Sequence, residues 1–578
     1  MSLLITKEKN AQVIISLLKA HGIKKVIASP GTTNVALIGS IQNDPYFEIY
    51  SSVDERSAAY LACGLAEESG EPVVISCTGA TASRNYAPGL TEAYYRKLPV
   101  LAITSMQNFN KVGHHVAQVV DRSVIQNDVA KYSVELPIVK DADDIWECEI
   151  KVNNAILELK RGGGGPVHIN LPTTYTLPFE SIEVPKYRVM KRFTLDDDLP
   201  NLSGRIGVFV GSHKKWSDEE TKALERFCEE NNAAVFCDHT SGYKGKYRLL
   251  FSLVATQDIF DLAKVKPDIL IHIGEVSGDY ANINLKGKEV WRVSPDGELR
   301  DTFRKLTNVF EMNEKSFFSK YTNNSVKNLE YFDFCQSILD ITRESIPELP
   351  FSNIWLASKL AHRVPENSVL HFGILNSLRS WNFFEVPASV ATSSNVGGFG
   401  IDGGLSTLFG ASLADRDKLC FCVLGDLAFF YDMNVIGNKH LGNNIRILLI
   451  NNGKGTEFRQ YNHHAAYFGE GADKLIAAAD HFGNKSPLLV KNYAENLGFE
   501  YIAASTKEEV LANLEQFLDN TKTDKPILFE VFTNSDEESE ALEVIRGIAD
   551  DKSVRMRNKA KKILGSAGLN AIKKVLRS

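Results

Sequence analysis

Two oxygen donors stand out for the chemistry their spacing allows. Asp426 ends the apolar run FCVLGD, and Asn452, 26 positions later, ends a second run, RILLINN. Continuous apolar runs of this length read as strands buried on both faces of a parallel sheet. The segment between, AFFYDMNVIGNKHLGN, can form the connecting helix. A carboxylate and an amide oxygen then arrive at neighbouring carboxyl ends of parallel strands, where open α/β sheets bind ligands. Magnesium takes oxygen ligands in octahedral geometry and often shares them with phosphates. The loop Asn452-Gly453-Lys454-Gly455 offers a backbone carbonyl, and its glycines let the backbone approach a diphosphate. The alternative is a pair of strand-to-helix turns in which Asp and Asn-Gly do ordinary turn chemistry.

A third candidate is Glu55. It follows the strand-like YFEIYSSV and opens an alanine-rich helix in SSVDERSAAYLACGLAEESG. An acid there also suits a helix N-terminus for purely structural reasons.

The elements that must position these groups repeat one pattern. Helix-like QVIISLLKAHG leads to the run KVIAS and then Pro30-Gly31, and PVVISCT, PVLAITS and PVHINLP follow. Helices between continuous apolar strands imply an α/β fold with parallel sheets flanked by helices. The proline-bearing TTYTLPFESIEVPKYRV reads as a linker to a second α/β region with strands IGVFVG, AAVFCD and DILIHIG. A second linker, SIPELPFSN, leads to a third region with strands SVLHFG, KLCFCVLGD, IRILLINN and ILFEVF. The expected domains are 1–185, 186–350 and 351–540, with a basic helical tail over 541–578. The turn GVFVGS resembles a nucleotide loop but lacks GxGxxG, and reads as structural ahead of the alternative of a bound nucleotide.

Composition narrows the class. The chain has 578 residues, 44% apolar and 24% charged, with net charge −7. That suits a globular protein and points away from nucleic acid. Eight scattered cysteines without a CxxC pair fit a reduced, cytoplasmic protein. The N-terminus lacks a signal-peptide layout, and no apolar run reaches the roughly 20 residues that span a bilayer.

Several segments, in order, carry a resemblance: SPG at 29–31, the DER glutamate at 55, CTGATASRNYAPGLTEAYYRKLPVLAITS at 77–105, GPVHINLP at 165–172, and GDL…NN at 425–452. Over nearly its whole length the chain resembles the thiamine diphosphate-dependent decarboxylase and carboligase superfamily. The resemblance implies three domains, a pyrimidine-binding, a central and a diphosphate-binding one, with thiamine diphosphate and Mg2+ as cofactors. It implies that Glu55 hydrogen-bonds the aminopyrimidine ring and drives its imino tautomer. It gives Asp426, Asn452 and the Lys454 carbonyl to the metal. Ile401 would be the wedge that bends the cofactor, and the Phe399 carbonyl would accept from its amino group. Pro30, Gly31, Gly373, Gly425, Leu427, Ala428 and Gly455 would border the cofactor. It also implies a homodimer or homotetramer in which the Glu55 domain of one chain faces the metal domain of another.

Within the superfamily, GFGIDGGLST at 399–408 and GDLAFFYDMN at 425–434 are similar to the menaquinone-biosynthesis 2-succinyl-5-enolpyruvyl-6-hydroxy-3-cyclohexene-1-carboxylate synthase branch. That branch decarboxylates 2-oxoglutarate, adds the fragment to isochorismate, and holds carboxylates with arginines, whose fork geometry fits them. Arg379 sits where the branch has an arginine. Where the branch reads PGSR this chain has Pro30-Gly31-Thr32-Thr33, and where it reads NRG this chain has Asn395-Val396-Gly397. With two clamps missing, a different 2-oxo acid and acceptor are expected, with Thr32 and Thr33 facing substrate.

Other residues are open to two readings. His114-His115 matches an active-site histidine pair of several decarboxylases in the superfamily, and Gln118 a pocket glutamine; the plain alternative is a polar loop. His463-His464 reads as a solvated loop or a lid over the site. The basic tail SVRMRNKAKKILGSAGLNAIKKVLRS suits packing on its own oligomer better than a membrane surface. The functional readings are a carboligase, a simple decarboxylase releasing an aldehyde, and a silent assembly subunit.

Overall fold

The computed structural model describes residues 3–323, 327–480 and 486–549. It contains three parallel sheets of six, seven and six strands, flanked by helices. By its contacts the chain divides into two compact units. One comprises Met1–Asp197 with Gly297–Glu311; the other comprises Asp198–Asp296 and the chain from Met312 on.

The first unit carries β1 (Lys25–Ala28), β2 (Glu48–Ser51), β3 (Val73–Thr78), β4 (Val100–Gln107), β5 (Tyr132–Glu135) and β6 (Val167–Thr173), ordered β2-β1-β3-β4-β6-β5. Its central strands are the continuous apolar runs of the sequence, and they alternate between two cores. Val74, Leu101 and Ile169 pack with Leu17 and Val152 on one face. Ile75 and Ala102 pack with Ala59, Ala62 and Tyr86 on the other. This unit also holds β7 (Lys191–Phe193).

The helix Glu55–Ser69 packs against the helix Ala87–Tyr95 at very close range. Cys63 Sγ lies 3.2 Å from the Gly89 carbonyl. A Cβ placed on Gly89 would lie 2.5 Å from Ala59 Cβ and 2.9 Å from the Ala59 carbonyl carbon. Backbone cannot yield as a flexible side chain can. Gly89→Ala is therefore expected to cost about 1–3 kcal/mol, as overpacking does. That lowers Tm by roughly 2–12 °C in a thermal melt and displaces the helix that begins with Glu55. An unchanged Tm would mean that the two helices separate freely.

The second unit holds β8 (Ile206–Val210), β9 (Ala233–Cys237), β10 (Arg248–Leu250), β11 (Ile269–Ile273) and β12 (Glu289–Val293), ordered β10-β9-β8-β11-β12. β13 (Leu306–Phe310) belongs to the first unit, where it pairs with β7. In the second unit the turn after β8 is closed by its own neighbours: a Cβ on Gly211 would meet the Glu275 carbonyl oxygen at 2.0 Å. The third sheet comprises β14 (Val369–Phe372), β15 (Ala391–Ser394), β16 (Cys420–Gly425), β17 (Ile445–Asn451), β18 (Glu500–Ala504) and β19 (Ile527–Phe532), ordered β15-β14-β16-β17-β19-β18.

The segment between Asp426 and Asn452 is less helical than its sequence suggests. The α-helix covers only Asp426–Asp432 and continues as a 3-10 stretch over Met433–Gly437. All eight cysteines are buried and unbridged. Among the described residues no helix is long and apolar enough to cross a membrane. Of the expected basic helical tail over 541–578, the start falls in the helix Ser535–Arg546, and residues 550–578 lie outside the described residues.

Candidate functional site

In the second unit β16 and β17 are paired neighbours, with Gly425 opposite Ile450. Their carboxyl ends therefore bring Asp426 and Asn452 together. Asp426 is 2% exposed, and its Oδ2 accepts from the Gly453 N–H at 3.1 Å. Asn452 Oδ1 is buried and has no hydrogen-bond partner among the described atoms. An orphaned buried oxygen costs about 1–3 kcal/mol, so it marks a place where a cation or a donor belongs. Among the described residues no group of three or more His, Cys, Asp and Glu side chains could hold a metal. A carboxylate, an amide and a main-chain oxygen are the donor set that hard Mg2+ accepts. Lys454 directs its ammonium away, onto Asp473 at 2.8 Å, and Arg459 takes the other Asp473 oxygen at 2.8 Å. These cations hold the Asp473 carboxyl below its usual range, Lys454 foremost. The Lys454 ammonium is thus engaged by a carboxylate.

The loops around this pair are open. Gly453 has φ +79°, a left-handed value that favours glycine, and a Cβ there would meet nothing within 4 Å. The same space surrounds Gly397 and Gly398, and at Gly425 the nearest atom is 4.0 Å away. Gly455 is tighter, donating to the Ala477 carbonyl at 2.6 Å. Gly373 is buried against Leu424, 3.1 Å from its own would-be Cβ. Leu427 and Ala428, half-buried, form the first turn of the helix that Asp426 begins. Ile401 is half-buried. Phe399 has φ +57°, uncommon for a bulky residue and costly unless its surroundings fix it. Its ring packs on Tyr280 with centroids 5.6 Å apart.

The first unit carries the other candidates. Pro30 is exposed and Gly31 approaches Thr78 so closely that a Cβ would fall 2.4 Å from Thr78 Cβ. Thr32 is exposed. Thr33 is buried, and its hydroxyl is committed to Thr78 and to the Ser105 carbonyl at 2.7 Å. Glu55 is the first residue of its helix, but the capping is done by Asp54, which accepts from the Arg56 N–H at 3.0 Å. The half-buried Glu55 carboxylate makes no hydrogen bond or ion pair with described residues and lies within electrostatic reach of Cys77 and Tyr86. His114, His115 and Gln118 lie on an exposed loop, where His115 and Gln118 have φ +55° and +65°.

Two features escaped the sequence reading. Arg122 is 3% exposed, and none of its three guanidinium nitrogens has a hydrogen-bond partner. Burial lowers its pKa to about 10. In the sequence it is simply an arginine four residues past Gln118. The second is the set of acids around Arg379. Arg379 lies in the short helix Asn376–Trp381 after β14, ion-paired with Glu457 and stacked on Tyr280 at 5.2 Å. These three line a cavity of about 600 Å3 within the second unit.

Comparison with known proteins gives this arrangement its class. Residues 8–125 match the family model described as thiamine pyrophosphate enzyme, N-terminal TPP binding domain, and residues 376–531 match the corresponding C-terminal TPP binding domain. The chain belongs to the thiamine pyrophosphate enzyme family, and it is a thiamine diphosphate-dependent enzyme of the transferase and lyase type. It is 30% identical over 569 residues to a 2-succinyl-5-enolpyruvyl-6-hydroxy-3-cyclohexene-1-carboxylate synthase of Bacteroides thetaiotaomicron, covering 93% of this chain and 98% of that protein. It is 31% identical to a protein of the same name from Phocaeicola vulgatus, over 93% and 97% of the two chains. A third such protein, from Flavobacterium johnsoniae, is 27% identical over 90% and 96%.

Proposed function

We propose that this enzyme is a carboligase, which decarboxylates a 2-oxo acid and transfers the resulting acyl carbanion to a second small molecule. The observation that carries this reading is the cavity beside Arg379 and Glu457, about 600 Å3 and walled by polar groups. After loss of CO2, release of a simple aldehyde needs room only for a proton beside the donor, whereas a cavity of this size lies in the range that holds a further ligand as well. When bound, the cofactor supplies the electron sink for decarboxylation. Asp426, Asn452 Oδ1 and the Lys454 carbonyl hold Mg2+, and the loops at Gly425, Gly453 and Gly455 leave room for the diphosphate. Phe399 and Ile401 orient the cofactor, and Glu55 shares a proton with its ring nitrogen. The open carboxylate of Glu55 supports a homodimeric or homotetrameric arrangement in which it serves the metal site of a second chain. The eight buried, unbridged thiols support a cytoplasmic enzyme.

The alternative is a simple decarboxylase, which the exposed His114-His115 pair favours as a proton relay. Product analysis with 2-oxo acids, with and without an aldehyde, separates the two. A new carbon–carbon bond supports the carboligase, and free aldehyde under both conditions supports the alternative.

The 2-oxo acid and acceptor differ from those of the menaquinone-biosynthesis synthase branch. Thr33 and Val396 stand where that branch carries arginines; they are 4% and 3% exposed, and the Thr33 hydroxyl is internally bonded. Conversion of 2-oxoglutarate plus isochorismate at about 1 per second or faster would overturn this view.

Arg379 is proposed to meet the carboxylate of the 2-oxo acid. Its side chain is 30% exposed, and as a mere surface pair with Glu457 it would contribute at most about 1 kcal/mol. A bidentate clamp differs, because Arg379→Lys keeps the charge and loses the fork. We expect kcat/KM for the 2-oxo acid to fall about 10- to 100-fold with a native-like melt. A fall of less than threefold would leave Arg379 a structural pair.

A further inference from the structure

The charge of the cavity is not what a polyanion would need. Its wall carries four carboxylates, Asp258, Asp279, Glu457 and Glu538, and two guanidinium groups, Arg379 and Arg546. Both guanidinium groups are already paired, Arg546 with Asp258 at 2.6 Å and Arg379 with Glu457. The remaining two acids have neutral donors. Asp279 accepts from the Ser252 hydroxyl at 2.5 Å and from the Ala281 N–H at 2.8 Å. Glu538 accepts from the Asn353 N–H at 3.0 Å and the Thr533 hydroxyl at 2.8 Å. Burial pushes Asp279 up to about 6 and Glu538 up to about 7. Near pH 7 Asp279 is still mostly ionised, so the wall is net negative.

The cavity adjoins the loops assigned to the cofactor. Glu457 lies two residues past Gly455, and Tyr280 packs on Phe399. The turn at Gly278 presses on Leu378 and Val396, whose side chains lie 2.2 and 3.1 Å from a Cβ built there.

We infer that this cavity receives the acceptor, and that the acceptor is an uncharged, polyhydroxylated carbonyl compound. The inference rests on the carboligase reading above. With Arg546 paired to Asp258 and Arg379 shared between Glu457 and the carboxylate of the 2-oxo acid, a carboxylate-bearing acceptor would face like charges with no guanidinium to itself, an unfavourable juxtaposition. A cationic acceptor would find two of the four carboxylates already neutralised by Arg379 and Arg546 and the other two held by neutral donors. Hydroxyls suit the wall, because each can donate to a carboxylate oxygen and accept from a guanidinium N–H. In the transfer, loss of CO2 leaves an electron pair on the former carbonyl carbon of the 2-oxo acid. That pair forms the bond to the acceptor's carbonyl carbon, whose oxygen takes one proton from solvent, and with the donor carbonyl restored the coupled product leaves as an α-hydroxy ketone. No oxidant or reductant is required.

The test has three parts. The cofactor-loaded enzyme is first given a panel of 2-oxo acids and CO2 release is measured; no release from any of them overturns the carboligase reading itself. The best donor is then paired with glyceraldehyde and erythrose, and separately with glyoxylate and succinic semialdehyde. We expect coupling to the hydroxylated aldehydes to be favoured at least tenfold. Equal or greater coupling to the carboxylate-bearing pair overturns the present inference alone, whereas CO2 release with free aldehyde and no coupling to either pair overturns it together with the carboligase reading. Independently of turnover, saturation-transfer NMR on the protein should show contact with erythritol and not with succinate, and Asp279→Asn should weaken the erythritol signal. Should Asp279→Asn fail to fold, Glu457→Gln serves instead: freeing Arg379 should shift the coupling ratio toward glyoxylate, and an unmoved ratio counts against the inference.

Discussion

Glu55→Gln is expected to leave the fold and cofactor binding intact while reducing turnover by about 100- to 10,000-fold, the range that a positioned acid–base group contributes. The separation follows from the local structure. Asp54, and not Glu55, supplies the cap to the helix, and the Glu55 carboxylate has no hydrogen bond or ion pair with described residues that would be lost. Glutamine fills the same space but can neither give up nor carry the proton that a ring nitrogen must share. Exchange of the thiazolium proton, followed by NMR, reads that step directly, and wild-type exchange in the variant would sink the assignment. A merely structural acid at a helix start behaves otherwise: its loss would cost about 0.3–1 kcal/mol of stability and leave exchange alone.

Much of the framework was legible because burial on both faces of a sheet leaves a direct trace. The stretches 73–75, 100–103, 420–424 and 447–450 are unbroken apolar runs, and each lies in a central strand. Ala391–Ser394 and Glu500–Ala504 are harder to read, because they lie at sheet edges and keep exposed positions. Glu289–Val293 hides for a different reason, since Glu289 and the buried Arg292 leave an uninterrupted apolar run of only Val290 and Trp291, whereas four apolar residues follow the buried Arg446 in Ile445–Asn451. The pairing of Asp426 with Asn452 was readable, since parallel strands joined by a helix place both residues at one end. The left-handed Phe399 was not, because a strained backbone leaves no mark when the residue is not glycine.

The acids around Arg379 show the limit more sharply. Asp279 comes from a loop after β11, Glu457 from the turn past Gly455, and Glu538 from the helix Ser535–Arg546. No periodicity joins them, and only the folded chain reveals that they share one cavity with the arginine. Arg379 read alone suggests a clamp for anions. Read with Glu457 beside it, the same guanidinium is partly neutralised, so the sequence overstates the positive charge of the pocket.

Asp426→Ala is expected to abolish cofactor binding rather than slow a later step. Asp426 is the one carboxylate in the donor set, and it is nearly inaccessible to solvent. Without it, Mg2+ retains a neutral amide and main-chain oxygens, and the diphosphate loses the cation that joins it to protein. Direct ligands matter at least as much as their supporting partners, whose removal costs 10- to 100-fold in metal affinity, so a loss of roughly 100-fold or more is expected. Calorimetry with thiamine diphosphate and Mg2+ measures it. The alternative, that Asp426 only receives the Gly453 N–H, predicts a stability loss of about 1 kcal/mol and unchanged affinity, which would place the metal elsewhere. Asn452→Ala sharpens the distinction. Removing a buried oxygen that has no partner should leave the free protein as stable or more so, while affinity for Mg2+ and thiamine diphosphate falls. A group kept only for turn geometry would lose stability and leave affinity alone, so the two quantities move in opposite senses under the two accounts.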